Sequence, residues 1–105
     1  MTLNNRGKIY LGKLGYVVAT TEHWNAFAKK RNDLFGMFDL LAIHTGDQTI
    51  VGVQITSKSN ISSRIKKLRC NPVYLDWLKC RGSVLVLVWY KVKNRFVSEE
   101  TWLVD

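Results

Sequence analysis

Asp39 and Gln54 stand where packing has no use for a polar group. Asp39 lies among Phe38, Leu40 and Leu41, and Gln54 lies between Val53 and Ile55. A polar side chain in such surroundings must be hydrogen-bonded or put to use. Side chains alternate along an extended strand, so Gln54, Thr56 and Lys58 share one face. If Asp39 on a neighbouring strand joins that face, its carboxylate, the Gln54 amide oxygen and the backbone carbonyl of Ile55 can converge on one hard cation. Oxygen donors of this kind select Mg²⁺ or Mn²⁺, ions that bind phosphate oxygens directly. Such an ion activates water, and a nearby lysine orients or deprotonates it. Phosphodiester hydrolysis is the chemistry that fits. Plainer roles stay open, since Asp39 can bond a backbone amide at a strand start and Gln54 can be a satisfied buried amide.

The elements that position these residues can be read in turn. Residues 37–43 and 49–56 form two apolar runs around the five-residue loop 44–48, which is a hairpin signal. Before them, Leu3, Ile9, Tyr10, Leu11 and Leu14 recur at helical spacing, and Gly15 stands at a natural stop, predicting a helix over 2–14. Residues 16–20 are a β-branched run that reads as a first strand. Residues 21–36 lack a clean period and read as a loop that can contain a helical turn. Beyond Lys58, Ile61, Ile65 and Leu68 mark a basic amphipathic helix, interrupted at Asn71-Pro72 and followed by a short helix over 73–78. Residues 83–92 are the most hydrophobic stretch and predict a central or near-central strand. Residues 96–97 and 101–104 can add a closing hairpin. The resulting order, α-β-β-β-α-β in a mixed sheet with helices on its faces, is an α/β domain.

At 105 residues and 47% hydrophobic content the chain is expected to form one domain spanning 1–105. Sixteen Lys and Arg against eight Asp and Glu leave a net charge of +8, which favours polyanions and places DNA first among partners. The basic residues gather in Lys29, Lys30 and Arg31 and again around Arg64 and Lys67, as a binding face would require. Cys70 and Cys80 have no zinc spacing, so a reduced cytoplasmic protein of a bacterial or phage-infected cell is expected. No apolar run reaches the ~20 residues of a membrane helix. The four tryptophans are expected in the core, with Trp24 also a candidate for base contact because it neighbours the basic cluster. His23 and His44 are expected at the surface.

Two segments carry a family resemblance. RNDLFGMFD over 31–39 and VGVQITSK over 51–58 resemble the strands that present the motif residues of the PD-(D/E)XK nuclease superfamily, which includes restriction enzymes, archaeal Holliday junction resolvases and small phage nucleases. The resemblance covers roughly residues 2–92. It implies a restriction endonuclease-like core, a Mg²⁺-dependent (or Mn²⁺-dependent) endonuclease activity on DNA, structure-selective for branched substrates, and a homodimer. Asp39 matches the metal-binding aspartate, Gln54 the acidic position and Thr56 the lysine position. The amide of Gln54 can coordinate without bringing charge, whereas a threonine hydroxyl cannot supply positive charge. Lys58, about 6.6 Å further along the strand face, is the candidate to replace that lysine. Asp33 is a candidate further ligand or a turn cap, and no glutamate lies in the first helix. Two other readings remain: a degenerate member that binds nucleic acid without cutting it, and a phage protein-interaction module.

Overall fold

The computed structural model describes residues 1–104. Thr2 caps helix α1 (Leu3–Lys13), its hydroxyl accepting the backbone N–H of Asn5 at 3.1 Å. The helix ends where Gly15 turns left-handed at φ +96°, a conformation open to a residue without a Cβ. There follow β1 (Val17–Thr20), a ribbon of β2 (His23–Asn25) and β3 (Lys30–Asn32), then β4 (Leu40–His44) and β5 (Thr49–Ser57). A 3₁₀ turn (Lys58–Asn60) leads into α2 (Ile61–Cys70) and α3 (Tyr74–Lys79), and the chain closes with β6 (Gly82–Val92) and β7 (Arg95–Leu103).

Five strands form one sheet in the order β1-β4-β5-β6-β7. The pairings are antiparallel except β5 with β6, which run parallel because two helices return the chain to the same end. The architecture is therefore α/β with a mixed sheet, as the order of elements predicts. Strands β5 and β6 are covered on both faces; β6 is accordingly continuously apolar from Val84 to Trp89, whereas β5 also buries Gln54 and Thr56. Under α1, Leu11 packs on Leu40, Val53, Ile55, Leu85 and Leu87. On the opposite face Met37, Phe38, Val84, Val86 and Val88 pack with Leu68 and Tyr74 of the other helices. Among the described residues no helix is long and apolar enough to cross a membrane.

Four sequence expectations need correction. Residues 21–36 contain the antiparallel β2–β3 ribbon rather than a helical turn; its side chains are mostly exposed, so it leaves no apolar period to read. Strand β5 stops at Ser57, and Lys58 opens the 3₁₀ turn, where Asn60 Nδ2 donates to Ser57 Oγ at 3.1 Å. The C-terminal segment is one nine-residue strand that pairs with β6 through Lys93 and Asn94, both at positive φ, instead of two short strands of its own. Trp89 is buried, but Trp24 and Trp102 are 59% and 44% exposed.

Candidate metal centre

The centre is assembled from both legs of the β2–β3 ribbon and the start of β4. Beyond β1, the Thr21 backbone N–H donates to the Asp39 carbonyl at 3.0 Å, and its hydroxyl donates to the Phe38 carbonyl at 2.7 Å. Glu22, next in the chain, is thereby set beside Asp39. On the returning leg, Leu34 N–H donates to the same Phe38 carbonyl at 3.1 Å, and Gly36 N–H closes a turn on the Asp33 carbonyl at 3.1 Å. One backbone oxygen thus ties down both legs. Phe38 is itself fully buried, its ring lying over Gly52 and 4.8 Å from the Trp77 ring, so the tie is anchored in the core.

The outcome is a cluster of three carboxylates. One oxygen from each of Glu22, Asp33 and Asp39 lies within 4.8 Å of the others. Asn4 of α1 donates from Nδ2 to Glu22 Oε2 at 2.8 Å and orients it. Asp39 is the deepest of the three. Its Oδ2 accepts the Ile55 backbone N–H at 2.9 Å and Gln54 Nε2 at 3.0 Å. Gln54 Nε2 also donates to the Ile55 carbonyl at 3.2 Å, so the amide nitrogen bridges two oxygens that a cation would otherwise share.

The electrostatics follow from this crowding. Burial pushes the Asp39 carboxyl up to about 6 from an ordinary 3.8; the Ile55 N–H pulls it down, Asp33 and Glu22 raise it further, and Arg64 lowers it. Asp33 is also raised, first by burial and then by Glu22, while Lys67, a hydrogen bond with Asp39, and Arg64 hold it back. Carboxylates pressed together in this way gain most from a divalent cation, and hard oxygen donors fit Mg²⁺ or Mn²⁺.

Glu22, Asp33, Asp39, Gln54, Ile55 and Arg64 line a single recess of about 340 Å³. A larger recess of about 520 Å³ lies elsewhere, between α1 and the β6–β7 hairpin, but it is walled mainly by Ile9, Tyr10, Trp89, Phe96 and Val97 and offers no carboxylate. Of the two, the acidic recess is the one that gathers carboxylates. Of the residues singled out from the sequence, Asp39, Gln54, Ile55 and Asp33 come together there, and Arg64 joins them from α2. Thr56 is buried and donates to the Ser57 carbonyl at 3.4 Å. Lys58 is outside the recess lining; it is exposed, and its Nζ lies 4.5 Å from the centroid of the Tyr90 ring. Lys29 and Lys30 are exposed on the ribbon, Lys67 is exposed on α2, and Arg31 pairs through its backbone with Trp24. Glu22 was not assigned a role from the sequence; its one signal there is its position two residues past the run that becomes β1.

No protein-family model, curated protein or solved structure matches this chain.

Proposed function

We propose that the protein is a metal-dependent endodeoxyribonuclease of the PD-(D/E)XK type, acting on branched or otherwise distorted DNA as a homodimer. The observation that carries this reading is the convergence of Glu22, Asp33 and Asp39 within 4.8 Å, beside the Ile55 carbonyl, in a basic α/β domain. Glu22 and Asp33 supply the charge that Gln54 lacks; Asp33 is already a candidate ligand from the sequence, whereas Glu22 is not.

Bound Mg²⁺ or Mn²⁺ would supply Lewis-acid polarisation of a scissile phosphate and offset the charge that develops on it. The ligands would be Asp39, Asp33, Glu22 and the Ile55 carbonyl, with Gln54 joining after a half-turn of its amide presents Oε1 in place of Nε2. Asn4 holds Glu22 in place, and the Ile55 N–H holds Asp39. Arg64 takes the part that a motif lysine would play: it reaches the same recess, and its guanidinium can pair with a non-bridging phosphate oxygen. Lys58, over Tyr90, would contact flanking backbone. Lys29, Lys30, Arg31 and Lys67 would draw in the phosphates without reading sequence.

One observation favours a second reading, a nucleic-acid-binding protein that does not cut. Gln54 Nε2, a donor, bridges Asp39 Oδ2 and the Ile55 carbonyl at 3.0 and 3.2 Å, so the pair is satisfied without an ion. Calorimetric titration with Mn²⁺ separates the two. A nuclease gives saturable binding that Asp39→Ala abolishes, and no heat of binding would leave the non-cutting reading.

A further inference from the structure

The β2–β3 ribbon carries two aromatic side chains that the core does not bury. Phe27, at the tip, is 102% exposed, and Trp24, on the first leg, is 59% exposed. The tip is nonetheless hydrogen-bonded within itself. Asn25 Oδ1 accepts the backbone N–H of Phe27 at 3.0 Å and of Ala28 at 3.1 Å, and Lys29 adopts the left-handed conformation at φ 51° to send the chain back. A ring held in water on a hydrogen-bonded turn contributes nothing to the core and is open to a partner. Exposed Lys29 and Lys30 lie beside it, so a polyanion is the partner whose charge this tip complements.

The base of the same ribbon is the acidic recess. Glu22 directly precedes β2, Asp33 directly follows β3, and the Phe38 carbonyl fastens both legs. Whatever the tip engages is therefore held at a set distance from the three carboxylates. We propose that the ribbon is a stacking wedge: Phe27 stacks on an unpaired base of DNA while Lys29 and Lys30 contact the flanking phosphates, which places the distortion next to the metal centre. The inference rests on the nuclease reading and names its substrate class, DNA with an unstacked base such as a bulge, branch point or single-stranded junction. A fully paired duplex offers no free base face to a ring of this kind, whereas an extrahelical base does, and every base has one. The five residue steps from Glu22 to Phe27 would span at most about 16 Å even if fully extended, so the cut falls within about five base pairs of the unstacked base.

The test is binding of the full-length protein, in EDTA, to a fluorescent duplex carrying a short bulge and to the same duplex fully paired, with 2-aminopurine in the bulge to report stacking. Wild type is expected to bind the bulged duplex about tenfold more tightly and to change the 2-aminopurine signal. Phe27→Ala should lose that preference and that signal while binding the paired duplex within about twofold of wild type, and Phe27→Trp should restore both. Lys29→Ala should weaken binding to both duplexes equally. A Phe27→Ala protein that keeps the preference overturns the inference. So does a Phe27→Ala protein that loses concentration-dependent self-association instead, since the tip would then meet a second copy of the chain. Absence of binding to any DNA removes the inference together with the nuclease reading; metal-dependent cleavage that ignores the bulge removes the inference alone.

Discussion

Gln54 donates its side-chain amide to Asp39 Oδ2 at 3.0 Å, which puts a neutral donor where a second carboxylate would repel. Replacing it by glutamate turns that attraction into repulsion in the absence of metal and into an added ligand in its presence. Gln54→Glu is expected to lower the melting temperature in EDTA, to raise Mn²⁺ affinity about tenfold, and to speed cleavage at limiting metal. Thermal unfolding with and without Mn²⁺ checks it. A variant whose melting temperature responds to Mn²⁺ no more than wild type does would remove Gln54 from the centre.

Asp39 sets a pH dependence whose sign is fixed by its raised folded-state value of about 6 against an ordinary 3.8. The folded protein holds this proton more tightly than the unfolded chain, so the associated stability is complete below 3.8 and is lost as pH rises through 6. Asp33 is displaced in the same direction and adds to the trend. Asn at position 39 keeps the acceptor for the Ile55 N–H and for Gln54 but never ionises. Asp39→Asn should match wild type in urea unfolding near pH 4 and exceed it by on the order of 2–3 kcal/mol near pH 8 without metal. Equal stabilities at the higher pH would mean that burial does not penalise the charge.

Arg64 and Lys58 are both cations near the end of β5, but only Arg64 lines the acidic recess, while Lys58 lies over Tyr90. Arg64→Ala should lower the cleavage rate by about 10²-fold or more with metal binding retained, and Lys58→Ala by no more than a few-fold. Single-turnover rates at saturating Mg²⁺ decide between them. The reverse ranking would return the catalytic cation to Lys58.

The site also depends on a small residue it does not contain. A Cβ on Gly52 would run into the buried Phe38 ring, whose carbonyl fastens the ribbon. Gly52→Ala should cost about 1–3 kcal/mol, and Phe38→Leu in the same chain should recover part of it. Additive losses in a double-mutant cycle would show that the two do not meet.

Much of this was legible from residue order and part was not. Strands β5 and β6 announce themselves because both faces are buried and Val, Ile and Leu fill them, and α2 does so through Ile61, Ile65 and Leu68. The ribbon was hidden because His23, Trp24 and Lys30 are exposed, so no period of two in hydrophobicity marks it. The end of β5 was misplaced because alternation was extended through Lys58, where Ser57, Ser59 and Asn60 bond one another and turn the chain instead. Asp39, Gln54 and the Ile55 carbonyl were found together because neighbouring strands bring them together. Asp33, a candidate ligand from the sequence, is held by a local turn and the Leu34–Phe38 bond, whereas Glu22 joins through the bonds of Thr21 to Phe38 and Asp39, long-range contacts that no local pattern encodes.

Cleavage of a branched DNA in Mg²⁺ by the purified protein, compared with Asp39→Asn and with wild type in EDTA, bears most directly on the function. Hydrolysis that needs Mg²⁺ and falls by at least about 10³-fold in Asp39→Asn is the expected result. Hydrolysis that persists in Asp39→Asn would contradict the active-site assignment, and DNA binding with no metal-dependent hydrolysis would contradict the nuclease itself.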